Sequence, residues 1–183
     1  MLRRFNLLNI IGDLINPATH DAQIDGSQIV QSIGWEHQRI HEGNHYQVAG
    51  YELGLGDNDT VAIALTSPAD REVHLNESFF AVNGGTLEIY EGASVTGGTV
   101  LNIPNNNRNS LNTSGVIARL NPTVTTNGSL LWRWLMGGDR ESGDAVRNHE
   151  QDLAKSTTYL LLATCTAALN GISWDLNFYE EFD

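Results

Sequence analysis

Two histidines and a glutamate in the string HEGNH, residues 41–45, match the H-E-x-x-H pattern of zinc proteases. That pattern works on a helix, which puts both histidines on one face and lets the glutamate activate a metal-bound water. Here the two middle positions are Gly43 and Asn44, residue types that favour turns with positive φ. The sequence therefore predicts a turn at residues 42–44, between a strand that ends near His41 and a strand that starts at His45.

A zinc protease also needs a third metal ligand, and none stands at the required spacing. The extended form of the motif would place glycine at position 48 and histidine at position 51, where this chain has Val48 and Tyr51. Glu77 could be taken as a glutamate ligand, but it lies far downstream at the edge of a predicted strand. The pattern is therefore interpreted as a chance match, and neither zinc nor peptidase activity is expected.

A looser metal site is an alternative, because His37, His41 and His45 recur every four residues. If residues 37–41 form a strand, His37 and His41 share one face, and His45 lies opposite them across the turn. Solvated or hydrogen-bonded histidines are the commoner explanation, and the role of the three is left open. No glycosidase carboxylate pair, nucleophile elbow or phosphate-binding glycine loop is readable in the sequence. We predict no catalytic residue, no metal ligand and no cofactor.

Two tryptophans offer a different kind of binding site. Trp132 and Trp134 alternate with Arg133 in SLLWRWLM, so on a strand they share one face, with Leu131 and Leu135 beside Arg133 on the other. An exposed tryptophan pair could stack on a sugar, as in a carbohydrate-binding module. Packing in the core or at a subunit interface is the more common use of such residues.

The remaining sequence predicts an all-β domain. After Gly34, short apolar runs alternate with Gly, Asn, Asp and Pro, which is typical of a β-sandwich or jelly roll. Asn83 and Gly84 lie between FFAV and TLEIYEG and predict a tight hairpin turn. The asparagine-rich residues 102–115 predict a long loop framed by strands.

One stretch, residues 139–156, departs from the strand pattern. Ala145, Val146, His149 and Leu153 would share one helical face behind Asp144 as a cap, which predicts one short helix or structured loop.

Length and charge limit the classes of protein that the chain can represent. A chain of 183 residues with 40% hydrophobic residues suits one domain, here residues 35–183, preceded by an arm and linker at residues 1–34. The net charge of −12 repels phosphate backbones, so no nucleic-acid partner is expected. The single cysteine, Cys165, allows no intrachain disulfide, and we expect it to be buried on a strand.

The N-terminal arm is apolar, but asparagines, a glycine and an aspartate interrupt it. It is too short and too polar to span a bilayer, and no convincing signal cleavage site follows it, so no membrane association is expected. We expect the arm to dock on a neighbouring subunit or on a larger partner. Its candidate assembly residues are Leu2, Phe5, Leu7, Leu8, Ile10 and Ile11.

Three stretches, in this order, resemble a family of small virion structural proteins of tailed bacteriophages. They are IHEGNHY (40–46), EIYEGASVTGGT followed by NNNRNSLNTSG (88–115), and LAKSTTYLLLATCTA running to WDLNFYEE (153–181). Members carry similar His-x-Gly-x-His-Tyr, Tyr-Glu-Gly-Ala, Asn-x-Asn-Arg-Asn-Ser and Thr-Thr-Tyr elements. Their second turn position need not be glutamate, so zinc chemistry is not what the family shares. This chain departs from the pattern at the end, where four residues separate Trp174 from Tyr179.

The resemblance implies a non-enzymatic decoration or cement protein on the outer capsid surface of a virion. Its partners would be the major capsid protein of the head and further copies of itself. A symmetric homo-oligomer, with a trimer favoured, would suit the threefold positions of a capsid lattice. The alternatives are a tail or receptor-binding virion component and a carbohydrate-binding β-sandwich module.

Overall fold

The structure, a computed structural model, describes residues 23–24, 30–31, 35–137, 144–146 and 150–182. This part of the chain is mostly antiparallel strand with one short helix, which confirms the all-β class. The helix, α1, spans Trp35–Glu42. The strands are β1 Gln23–Ile24, β2 Val30–Gln31, β3 His45–Leu55, β4 Thr60–Thr66, β5 Arg71–Ala81, β6 Gly85–Glu91, β7 Ser94–Thr96, β8 Thr99–Val100, β9 Ile117–Leu120, β10 Thr123–Thr126, β11 Ser129–Met136, β12 Asp144–Val146, β13 Gln151–Leu153, β14 Thr158–Cys165 and β15 Asn170–Phe182.

Two large sheets bury one common core. One sheet has the order β11-β6-β14-β4-β9-β8, and the other has the order β12-β5-β15-β3, with β13 also pairing with β5. Phe79 and Phe178 from the second sheet belong to the same buried cluster as Ile63 and Leu161 from the first, as expected for a β-sandwich. In each large sheet a strand from late in the chain lies between two earlier strands: β14 lies between β6 and β4, and β15 lies between β5 and β3. This order is compatible with a jelly roll, which stays a prediction.

The five-stranded sheet has an inner face in the core and an outer face away from it. Along β5, Val73 and Leu75 point inward and His74 points outward, which is the two-residue period of a strand. On β15, Glu180 lies opposite Val73 and is buried, whereas Glu181 lies on the outer face. Consecutive residues of these strands therefore lie on opposite faces of the sheet, one in the core and the next on the outer face.

The predicted hairpin at Asn83 and Gly84 is wrong. Strands β5 and β6 belong to different sheets, so this turn carries the chain across the end of the sandwich. Gly84 does have the positive φ expected of a turn (85°). The side chain of Asn170, at the start of β15, holds this turn by hydrogen bonds to the backbone of Asn83 and Gly84. Turn residues determine local backbone angles, whereas the pairing partner depends on which faces must be buried.

Of the two alternatives predicted for residues 139–156, a short helix or a structured loop, the helix does not form where the chain is described. Asp144–Val146 and Gln151–Leu153 are the strands β12 and β13, and both pair with β5. Gln151 and Leu153 are buried and Asp152 between them is exposed, so the period is two rather than 3.6. His149 lies outside the described residues.

Several other predictions are confirmed. TVAIALT and SLLWRWLM form β4 and β11, and residues 102–115 are a long loop between β8 and β9. Cys165 is a buried free cysteine at the end of β14. The arm residues Leu2, Phe5, Leu7, Leu8, Ile10 and Ile11 lie outside the described residues. Within the predicted linker, β1 and β2 pair with each other.

Candidate functional site

The HEGNH string begins on a helix, so the predicted strand before the turn is wrong. Helix α1 ends at Glu42, and Gly43 follows with a φ of 75°. The amide of Gly43 donates to the carbonyl of Ile40 at 3.0 Å, and the amide of Asn44 donates to that of Arg39 at 3.1 Å. These two bonds form a Schellman cap. The predicted positive φ at Gly43 and the start of a strand at His45 are both confirmed.

The histidines are divided by this cap. His37 and His41 lie one helical turn apart on α1, with their Nε2 atoms 2.9 Å from each other, so they do not share a strand face. His45 lies beyond the cap, is only 3% exposed, and has its Nδ1 2.6 Å from the side-chain amide of Asn106. The helix that the zinc-protease pattern requires therefore ends before the second histidine of the motif.

The asparagine-rich loop, residues 102–115, folds over the end of α1. The side-chain amide of Asn105 donates to the carbonyl of Gly43 at 2.7 Å, and that of Asn107 donates to the carbonyl of His41 at 3.2 Å. The amide of Asn112 reaches the side chain of Asn44 at 3.1 Å. Carbonyls at the end of a helix lack partners within the helix, so Asn107 satisfies one of them, while Asn105 and Asn112 bind the two residues that follow the helix.

The loop is also organised by its own side chains. The carbonyl oxygen of the Asn105 side chain accepts the backbone amide of Asn107 at 2.8 Å, and Asn107 accepts that of Asn109 at 3.1 Å. Asparagine favours such local turns, because its side chain can hydrogen-bond the backbone two residues on. The run of asparagines is therefore a folded loop with a defined shape.

The far end of the loop is bound to β15 through Glu180. This carboxylate is fully buried. It accepts hydrogen bonds from the Nη1 of Arg71 at 2.8 Å, from the hydroxyl of Ser114 and from the backbone amide of Gly115. A buried carboxylate is costly unless it is paired and hydrogen-bonded, and here both conditions are met.

Parts of all three family-like stretches therefore meet in one place: the HEGNH turn, the asparagine-rich loop and the Tyr-Glu-Glu end of β15. Between the two anchored ends of the loop lies the loop tip, which we define as residues 108–113. Arg108 and Leu111 are exposed there, and Leu111 is 97% exposed. Loop residues that include Arg108 and Leu111 line a shallow depression of about 340 Å³. Such a surface can present a cation and an apolar side chain to a partner.

No protein-family model, curated protein or solved structure matches this chain. Membership of a phage virion family therefore stays a prediction made from the residues of the three stretches. In the part of the chain that the structure describes, no helix combines the length and the apolar composition needed to cross a bilayer.

The tryptophan pair packs against the core. Trp132 and Trp134 share a face as predicted, with ring centroids 6.1 Å apart and ring planes nearly perpendicular. The register of β11 shifts between Leu130 and Trp132, and Leu131 packs against the core as well, so its predicted place on the opposite face is wrong. Two partly buried, perpendicular rings do not form the flat platform on which a sugar ring stacks.

A second group of side chains lies on the outer face of the five-stranded sheet. The rings of His74 and Tyr179 stack with centroids 4.4 Å apart, and the carboxylate of Glu150 accepts the hydroxyl of Tyr179 at 2.7 Å. Burial and this hydrogen bond raise the pKa of Tyr179. The guanidinium of Arg39 on α1 covers the same tyrosine ring. This group is not readable from the sequence, because its members come from four segments that only the fold brings together.

Proposed function

We propose that this protein is a non-enzymatic structural component of a phage virion, which binds the outer surface of the capsid and stabilises the head. The observation that carries the proposal is the meeting of the three family-like stretches at one hydrogen-bonded site with an exposed loop tip. If these stretches are what the family shares, the site they build is the place to expect a shared interaction.

The form of the site suits binding better than catalysis. The asparagine-rich loop is fixed at one end by the cap of α1 and at the other by Glu180, so little conformational entropy remains to be lost when a partner binds. Functional contacts are commonly made by loops that a rigid scaffold positions. At the loop tip, Leu111 would enter an apolar pocket of the capsid protein, and Arg108 would pair with an acidic group at its rim.

Cementing follows from binding that is selective for the assembled shell. A protein that binds the assembled state, and not the separated subunits, stabilises that state by mass action. The partner would be the major capsid protein, and the protein would lie on the outside of the head. A symmetric homo-oligomer, with the trimer favoured, would present several loop tips at a threefold position of the lattice.

The test uses purified heads that lack this protein. Adding the wild-type protein should raise the temperature at which heads rupture and produce surface density in images. Leu111→Asp should weaken binding by about 10-fold or more, because it would bury a carboxylate in an apolar pocket of the partner. Leu135→Asp is the matched control and should bind like the wild type. Leu135 is also strongly exposed, at 82%, but it lies on β11 rather than on the loop tip.

Three results would contradict the proposal. If Leu111→Asp binds heads as well as the wild type does, the loop tip is not the contact. If added protein leaves heads unchanged and virions made without the protein lose density only from the tail, the protein is a tail component. If the protein is absent from virions and binds glycans through Trp132 and Trp134, the carbohydrate-binding alternative is correct.

The arm is tested separately. Deleting residues 2–15 should leave the β-domain folded and reduce either the oligomeric state or the binding to heads. Light scattering after gel filtration and the head-binding assay measure the two effects. A truncated protein that assembles and binds like the full chain would show that the arm has neither role.

A further inference from the structure

Two carboxylates and an imidazole meet on the outer face of the five-stranded sheet, away from the loop tip. Glu72 and His74 stand two residues apart on β5, and Glu181 on β15 lies directly opposite Glu72. One ligand atom from each of the three lies within 4.8 Å of the other two. All three residues are partly buried. Side-chain oxygen and imidazole nitrogen atoms at this spacing can ligate one divalent ion.

The imidazole of His74 is oriented by a carboxylate at one ring nitrogen, as metal-binding histidines commonly are. Its Nδ1 lies 2.8 Å from the carboxylate of Glu150, and its Nε2 is buried with no hydrogen-bond partner among the described residues. A histidine that donates one ring N–H to a carboxylate keeps a lone pair on the other nitrogen and a fixed ring orientation. Stacking on Tyr179, whose hydroxyl also donates to Glu150, fixes the plane of the ring.

Two cations already compensate the carboxylates. Arg39 of α1 pairs with Glu181, and the Nζ of Lys155 lies 4.0 Å from Glu72. An incoming ion would compete with both of them, so the site would bind less tightly than one without neighbouring cations. The same competition predicts that removing a cation strengthens binding, whereas removing a carboxylate weakens it.

We propose that Glu72, His74 and Glu181 form a binding site for a divalent transition-metal ion of the Mn²⁺ or Zn²⁺ class. One imidazole nitrogen and two carboxylate oxygens would hold the ion, and water would complete its coordination. The site differs from the H-E-x-x-H motif and was not predicted from the sequence. Its ion would join β5 to β15 and would compete with Arg39, which links Glu181 to α1. The proposal does not depend on capsid binding.

The experiment begins with metal-free wild-type protein titrated with Mn²⁺, in which the electron paramagnetic resonance signal reports the free ion. We expect one bound Mn²⁺ per chain and a melting temperature that rises with Mn²⁺ and falls again with a chelator. Glu72→Gln and Glu181→Gln should each weaken binding by about 10-fold or more. Asp57→Asn removes an exposed carboxylate from the turn after β3 and should bind like the wild type.

Two further variants separate this site from its competitors. Lys155→Gln should tighten binding by about threefold, because it removes a neighbouring cation. His41→Gln removes one member of the exposed histidine pair on α1 and should leave Mn²⁺ binding unchanged. The proposal is overturned if neither Mn²⁺ nor Zn²⁺ binds at about 1 mM. It is also overturned if Glu72→Gln and Glu181→Gln both bind Mn²⁺ as tightly as the wild type does, or if His41→Gln abolishes Mn²⁺ binding.

Discussion

The hydroxyl of Ser114 donates a hydrogen bond of 2.5 Å to the fully buried carboxylate of Glu180. This bond joins the end of the asparagine-rich loop to the last strand of the five-stranded sheet. Arg71, from the start of β5, supplies the compensating charge at 2.8 Å. The loop tip therefore owes its position to a charged group inside the protein, and both its shape and the stability of the domain should depend on that group.

Glu180→Gln removes the negative charge and leaves the partly buried Arg71 without its inner partner. We expect the free energy of unfolding to fall by about 2–3 kcal/mol, since Arg71 keeps its exposed partner Asp70 but loses the buried one, and the donors around position 180 lose a charged acceptor. Urea unfolding measures the change. Glu52→Gln alters a carboxylate that meets Asn121 near the surface and should stay within about 0.5 kcal/mol of the wild type. Equal effects of the two variants would refute the anchoring role.

Gly43→Ala tests the contact between the HEGNH turn and the loop. Gly43 has a φ of 75°, and a Cβ there would lie 2.7 Å from the Cβ of Ser110. Gly54 has the same φ with open space around it, so Gly54→Ala should cost only the backbone strain of about 1–2 kcal/mol. We expect Gly43→Ala to cost about 1–3 kcal/mol more, because the loop must move. Thermal and urea unfolding of both variants provide the comparison, and equal costs would show that the loop yields freely.

Asn170→Ala should loosen the end of the sandwich. The buried Asn170 side chain donates to the carbonyl of Gly84 at 2.7 Å and accepts the amide of Asn83 at 2.8 Å. Without this side chain the carbonyl of Gly84 keeps only the longer bond from the amide of Thr166, at 3.3 Å, and the amide of Asn83 loses its acceptor, so we expect the unfolding free energy to fall by about 1–3 kcal/mol. Asn109→Ala, at an exposed position of the loop tip, is the control and should change stability little. If Asn170→Ala leaves the unfolding free energy unchanged, the turn between the two sheets does not need the hydrogen bonds of this side chain.

Alkaline pH should destabilise the protein through Tyr159. Burial, and then the hydrogen bond to Glu91, raise the pKa of this phenol from 10.0 to about 12. Because the folded state keeps the proton to higher pH than the unfolded state does, this contribution is complete below pH 10. It is lost as the pH rises to about 12.

Urea unfolding at several pH values from 9 to 12 checks this expectation. Tyr159→Phe should reduce the slope of stability against pH in that range, whereas Tyr51→Phe, which alters an exposed ring, should not. An unchanged slope in Tyr159→Phe would assign the alkaline transition to other groups.

The sequence was sufficient wherever a local pattern has one structural outcome. Short apolar runs between turn residues predicted the strands β4 and β11. The Gly43-Asn44 pair predicted the end of one element and the start of β3 at His45. The lone cysteine was predicted to be buried on a strand, and Cys165 is buried at the end of β14. In each case the signal and the structure span the same few residues, so no distant part of the chain is needed to interpret it.

Tertiary structure decided which elements pair and which side chains meet. Asn83 and Gly84 predict a turn equally well within a sheet or between sheets, and the crossing was selected because both flanking strands must bury a face in one core. Gln151 and Leu153 became strand residues because β5 offered an edge. Glu180, His74 and the loop asparagines acquire their roles only from partners far away along the chain. Local sequence specifies backbone angles and periodicity, whereas hydrogen-bond partners and compensating charges come from the packing of the whole domain.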